Sequence, residues 1–246
     1  MEIFAGSSVL ALVLVALFIA TKTVRLWLRT RGLPELLLSG MLISATVLGY
    51  PLAIASTRVS AAEMWPIHAA SQVIISVGYT CLLLFTLNVF RPKALWAKGL
   101  VGLTILTLVA TSTTYIAEVR GDDPPALGEM TGTVIFTSVP IALAYLWTTV
   151  ESFAYHRRLR LQVGLGLTDV VVANRVLLWG LMCLSAGAAV VISNGAMLLG
   201  GTLLSPAIVV VCSILGLAHA ACLFLAFHPP GWYTTWLQGR SLAEVA

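Results

Sequence analysis

The sequence predicts an all-α fold, a seven-transmembrane-helix bundle with the N-terminus outside and the C-terminus inside, and three observations carry that prediction. Long apolar runs repeat along the chain, separated by short polar breaks, and a spanning helix needs roughly 20 mostly apolar residues at ~1.5 Å rise each. The 246 residues are 59% hydrophobic and 10% charged, with a mean hydropathy of +0.97, whereas a soluble domain carries about 25% charged residues. Basic clusters follow every second apolar run, which sets an orientation because cytoplasmic loops are enriched in Lys and Arg.

The runs lie at about 3–24, 34–55, 64–90, 97–117, 129–152, 168–193 and 203–227. They are spans 1 to 7 of a single transmembrane domain over 1–246, with no room for a separate soluble domain. Span 1 is too long for a signal-peptide core, and Glu2 rather than a basic segment precedes it, so a retained helix is expected. Arg31-Gly32-Leu33-Pro34 turns the chain into span 2, with Pro34 near a helix start where its missing N–H costs nothing. Gly49 and Pro51 interrupt span 2, and Pro140 interrupts span 5; a proline inside a helix frees a carbonyl and permits a kink, whether in a gating helix or a static one. Arg91-Pro92-Lys93 ends span 3. Gly121-Asp122-Asp123-Pro124-Pro125 is expected as the longest exterior loop. His228-Pro229-Pro230-Gly231 stops span 7, and the tail with Trp232, Tyr233 and Trp236 reads as an aromatic interfacial anchor.

Charge distribution explains the pI near 9.0. Lys22, Arg25, Arg29 and Arg31 follow span 1, Arg91, Lys93 and Lys98 follow span 3, and Arg157, Arg158 and Arg160 follow span 5. The other connections hold only Arg58 and Arg120, and the one after span 4 is acidic, with Glu118, Asp122, Asp123 and Glu129. Odd-numbered loops are therefore cytoplasmic, in a multi-pass protein of a cell inner (cytoplasmic) membrane of bacterial type. The positive charge is a topology signal and a contact for anionic membrane lipids, not a nucleic-acid surface. Cys81, Cys183, Cys212 and Cys222 all fall within spans and have no CxxC spacing, so they read as small packed residues.

A weak internal repeat is also expected, from a few matching residues. Gly32-Leu33-Pro34-Glu35 opens span 2 as Gly166-Leu167-Thr168-Asp169 opens span 6, and Phe90-Arg91-Pro92 closes span 3 as Phe227-His228-Pro229 closes span 7. Spans 1–3 and 5–7 would be parallel repeats joined by span 4, a layout that recurs among transporters. It is similar to the three-plus-one-plus-three arrangement of the SWEET sugar transporters. The similarity is architectural, and none of that family's motifs is present.

Polar residues inside a membrane are costly and usually face the bundle interior or water. Span 3 carries His68, Gln72, Ser76 and Tyr79 on one face, continuing to Thr86; span 4 carries Thr104, Thr107, Thr111, Thr114 and Tyr115. Span 5 carries Thr133, Thr137, Pro140, Thr148 and Glu151, and span 7 carries Cys212, Gly216 and His219. Each set fits a limited arc at ~100° per residue. Such stripes serve as packing glue between helices or line a polar cavity, with His68, Gln72 and Tyr79 the set best suited to a ligand. Arg175 lies ~10 Å up span 6, and His219 ~14 Å from the inner end of span 7. With Asn174 beside it and Glu35 and Glu151 at matching depth, Arg175 is expected in an inner-half ionic cluster. That cluster either locks helices together or contacts an anionic ligand. The candidate ligand-binding set is thus His68, Gln72, Tyr79, Arg175 and His219.

Several chemistries are argued down. Lys22, Lys93 and Lys98 all lie at cytoplasmic ends, so no lysine is placed for a retinal Schiff base. His68 and His219 differ in depth by roughly 18 Å and cannot share a haem iron. His156 and His228 read as interfacial. HExxH and GxSxG signatures are absent, and no enzyme activity, metal or cofactor is expected. The function expected is small-molecule or lipid binding in a central cavity lined by spans 3, 5, 6 and 7, of transporter type. The alternatives are a seven-helix sensor signalling through a separate cytoplasmic protein partner and a structural subunit of a membrane complex or homo-oligomer.

Overall fold

The computed structural model describes residues 2–56, 61–119, 131–199 and 205–243. The described chain is helical, with no strand: α1 (Glu2–Thr30), α2 (Leu33–Met41), a π-helical segment (Leu42–Gly49), α3 (Tyr50–Ser56), α4 (Ala61–Phe90), α5 (Leu95–Val119), α6 (Thr131–Gly164), α7 (Val170–Leu198), α8 (Pro206–Phe227) and α9 (Gly231–Ala243). Among the described residues, six helical stretches are long and apolar enough to cross a membrane: Ala5–Thr30, Leu33–Ser56, Met64–Phe90, Leu95–Thr114, Val170–Leu198 and Pro206–Phe227. The chain is a polytopic membrane protein on that evidence.

Local chemistry sets the helix ends. Arg31 follows α1 in the left-handed region (φ 54°), and its N–H donates to the Trp27 carbonyl at 2.7 Å. Glycine is the usual residue at such a position; here the guanidinium lies 5.2 Å from the Trp27 ring centre. Extended Gly32 precedes α2, with Pro34 and Glu35 in its first turn, where a carboxylate complements the helix dipole. Asp169 caps α7, accepting the Val171 N–H at 2.8 Å.

The second membrane stretch is not one α-helix. Around Gly49 and Pro51 its backbone widens into the π segment, and the Tyr50 N–H reaches back to the Ala45 carbonyl. Pro51 has no N–H to donate one turn back, and π winding commonly absorbs such an interruption. This segment crosses α4 closely. A Cβ on Gly78 would lie 2.6 Å from Ala45 Cβ and 2.7 Å from Ala45 N. Gly40 faces Cys81 and Gly49 faces Ile75 in the same crossing. Small residues permit this approach of backbones inside a membrane.

Neighbours in sequence are neighbours in space. α1 packs on α2; α2, the π segment and α3 pack on α4; α4 on α5, α5 on α6, α6 on α7 and α7 on α8, with α1 against α8 closing the ring. α4 also meets α6 across the ring. Ile19, Met41, Leu42, Tyr79, Leu82, Leu83, Met182 and Leu223 fill the centre. Leu10, Leu14, Leu103, Leu106, Val109, Leu146 and Val150 point outward and stay exposed, an apolar outer surface suited to lipid rather than water.

Two elements differ from the sequence expectation. α6 runs to Gly164, so Arg157, Arg158 and Arg160 ride on a continuous helix rather than a loop; Glu151 to Arg160 holds helix formers and no Gly or Pro to end it. The aromatic tail is itself a helix, α9, because the Pro230 carbonyl accepts the Tyr233 and Thr234 N–H groups and starts a new turn. Arg58, Arg120 and the acidic connection with Asp122, Asp123 and Glu129 lie outside the described residues, as do the side chains of Tyr115, Glu118 and Thr133.

Candidate functional site

Polar side chains inside the bundle form a column along α4, and most of them are bonded to α3, α5 or α6. At the end farthest from Arg91, His68 is held on both ring nitrogens. Its Nδ1 lies 3.1 Å from Ser56 Oγ and its Nε2 3.3 Å from Gln72 Nε2. Gln72 can only donate through that nitrogen, so His68 Nε2 accepts and Nδ1–H donates to Ser56, whose hydroxyl donates to the Ala53 carbonyl at 2.7 Å. Further along, Ser76 meets Ser112 of α5 at 2.9 Å. Tyr79 donates to the Tyr145 hydroxyl of α6 at 3.0 Å and is hydrogen-bonded to the Tyr50 hydroxyl. Tyr79 and Tyr145 are buried and meet edge to face, centroids 5.3 Å apart. Thr86 Oγ1 meets Thr148 Oγ1 at 2.8 Å. At the end of α4, Arg91 Nε donates to both Glu151 oxygens, at 2.9 and 2.8 Å, and Trp147 Nε1 donates to Glu151 Oε1 at 3.4 Å.

The residues expected to form one ionic cluster are not paired with one another among the described residues. Glu151 is the partner of Arg91. Asn174 donates to the Tyr233 hydroxyl of α9 at 2.9 Å. Glu35 Oε2 is buried and has no hydrogen-bond partner; the carboxylate folds over Gly32, the extended residue before α2. Arg175 is exposed and forms no ion pair among the described residues. Depth along separate helices is a poor guide to pairing, because it does not say which helices adjoin. Likewise the threonine stripe of α5 satisfies itself: Thr104, Thr107, Thr111 and Thr114 each donate to a carbonyl one turn back.

His219 sits between α8 and α7, 5% exposed. Its Nδ1–H donates to the Met182 carbonyl at 3.1 Å, which leaves Nε2 a buried acceptor without a partner. One turn from Met182, the Trp179 ring packs 5.2 Å from Phe85 of α4 and 5.9 Å from Phe227 of α8. Trp179 is 5% exposed, and its Nε1–H is buried and unbonded.

Trp179 is part of the wall of a half-open groove of about 370 Å³. α1, α4, α6, α7 and α8 all contribute to it, through residues at the ends that carry the basic clusters. Its interior is apolar, with Ile19, Phe85, Val176 and Phe227, and Lys22 and Arg175 both belong to its lining, with no carboxylate. The groove exists because α4 makes no close backbone contact with α1, α7 or α8; aromatic rings alone reach across. Lys22 Nζ lies 3.0 Å from His228 Nδ1 and 4.5 Å from the Phe18 ring centre, which holds it at the groove edge.

The chain matches no protein-family model, no curated protein and no solved structure at a significant level. Of the expected ligand residues, Arg175 lines the groove. His68 and Gln72 lie ~25 and ~20 Å from Phe85 along α4. Tyr79 is committed to its tyrosine partners, and His219 is not in the groove lining. Sequence reasoning passed over Lys22, Trp179 and Arg91 as site residues. The four-residue spacing of Arg175 and Trp179, which puts both on one face of α7, is the signal that could have found the groove.

Proposed function

We propose that this is a seven-span membrane protein, N-terminus outside and C-terminus in the cytoplasm, that admits a small molecule or lipid between its helices at the cytoplasmic end. α6 supplies the seventh span: its 34 residues reach ~51 Å at 1.5 Å each, and it sits in the ring between α5 and α7. The observation that carries the reading is the groove between α1, α4, α6, α7 and α8, whose volume of about 370 Å³ falls in the range of small-molecule sites, ~300–1,000 Å³.

A transporter-type role fits best. The groove lies at one end of the bundle, and Tyr50, Tyr79 and Tyr145 close the packed layer beyond it. A site open on one side and sealed by packed side chains on the other is one half of an alternating-access cycle, and a parallel repeat of spans 1–3 and 5–7, as the sequence leads one to expect, would suit such a cycle. A sensor would favour the opposite placement, an outward pocket above a sealed inner half. The test is mass spectrometry of the protein purified in mild detergent. A molecule that copurifies and is displaced by Phe85→Trp, which fills the groove, supports the reading. A protein that carries nothing specific and binds neither lipid nor small amphiphile defeats it.

A further inference from the structure

We infer that the groove selects an anionic amphiphile with a single acyl chain, binding its carboxylate or phosphate head at Lys22 and Arg175 and its tail against Phe85 and Phe227. This rests on the reading that the groove is a binding site, and adds the class of ligand. Three observations support it.

The first is charge. Two cations line the groove and no carboxylate does. Arg175 has no ionic partner among the described residues, in contrast with Arg91, whose charge is met by Glu151 at 2.8 Å. A guanidinium stays protonated in a protein, so its planar donor fork is free for a carboxylate or phosphate, the groups it binds in bidentate fashion. Lys22, held near His228 and the Phe18 ring, adds a second point charge.

The second is an unused donor. Trp179 Nε1–H is buried in the wall, in a residue 5% exposed, with no acceptor. Buried donors without partners are rare in folded proteins. Trp179 lies one turn beyond Arg175 on α7, ~6 Å along the axis, so a small rotation of its ring would bring a third donor to an anion seated by Arg175.

The third is shape. Apart from Thr23 the rest of the lining is aliphatic and aromatic, so a purely hydrophilic anion would leave it unfilled. A volume of about 370 Å³ is at the small end of ligand sites, which favours one chain over a two-chain phospholipid.

The experiment uses the full chain, delipidated in neutral detergent, and measures binding of oleate, methyl oleate and a two-chain anionic phosphatidylglycerol by native mass spectrometry. The expected result is saturable oleate binding, at least about tenfold weaker for methyl oleate. Arg175→Gln and Lys22→Gln should each weaken oleate about tenfold, the ~1.4 kcal/mol scale of one charge-assisted hydrogen bond, and Trp179→Phe should weaken it less. Both cations are exposed, so these variants should keep the parent melting temperature. Arg158→Gln, which removes a charge of the same basic end outside the groove, should leave oleate binding unchanged. Equal binding of oleate and methyl oleate, or no effect of Arg175→Gln and Lys22→Gln, overturns the ligand class while leaving the groove as a site. A preference for phosphatidylglycerol overturns the single chain. Absence of binding by all three overturns the binding-site reading itself.

Discussion

Arg91 at the end of α4 grips both carboxylate oxygens of Glu151 on α6 through one nitrogen, at 2.9 and 2.8 Å. The Glu151 side chain is 7% exposed and that of Arg91 32%, so the pair joins two helices across the ring with the acid as its buried member. Arg91→Ala would leave that carboxylate with only the Trp147 N–H. Breaking a buried pair costs ~3–5 kcal/mol, and the partial exposure of Arg91 reduces this to about 2 kcal/mol. Thermal unfolding of the purified variant should show that loss. Glu151→Gln keeps an acceptor for Arg91 and should cost less. Equal stability of Arg91→Ala and the parent would show that the pair contributes nothing.

Gly78 is fixed by the nearness of Ala45. A methyl group there would sit 2.7 Å from a backbone nitrogen, which cannot rotate away. Gly78→Ala should therefore destabilise the protein by about 1–3 kcal/mol, the usual cost of overpacking. Gly99→Ala and Gly102→Ala on α5 meet nothing within 4 Å and should be neutral or slightly stabilising, since Ala is the better helix former. The contrast is read from melting temperatures measured side by side.

Tyr79 both donates to Tyr145 and accepts from Tyr50. Tyr79→Phe removes both bonds with little change in shape. A loss of about 1 kcal/mol is expected, near the mean for interhelical hydrogen bonds in membranes. An unchanged unfolding midpoint in Tyr79→Phe would place the stability of this layer in ring packing alone.

Topology is checked by reporters. Alkaline phosphatase fused after Ala246 should be inactive and a fluorescent protein at the same site bright, because every basic cluster belongs to the end of the bundle that carries the C-terminal α9. Phosphatase activity at that position would invert the orientation and move the groove to the outer face.

Much of this architecture is legible in the sequence because membrane helices declare themselves by length and apolarity. Span 3 was expected over 64–90, and α4 ends at Phe90 as the Arg91-Pro92 break requires. The polar face of that helix was legible too: His68, Ser76, Tyr79 and Thr86 each bond another helix, and Gln72 bonds His68. Their partners were not, because Ser56, Ser112, Tyr145 and Thr148 are chosen by which helices adjoin, and no periodicity encodes that. Arg175 shows the same limit from the other side. Its position in an apolar run suggested a buried charge needing Glu35 or Glu151, whereas the groove gives its long side chain an open space beside α1. α9 stayed hidden because prolines that end one helix can also begin the next.

The π segment changes how small residues must be counted. Gly40, Ala45 and Gly49 all face α4, opposite Cys81, Gly78 and Ile75. In an unbroken α-helix, the five-residue step from Gly40 to Ala45 would turn Ala45 about 140° away from Gly40, at ~100° per residue. The wider winding of Leu42–Gly49 brings both to the same side. Gly40 thus joins Ala45 and Gly49 on one helix-pairing surface across a five-residue step that matches no α-helical contact motif. Deleting one residue within Leu42–Gly49 would tighten the backbone to α geometry and turn that surface off α4, although no side chain that forms the contact need be lost.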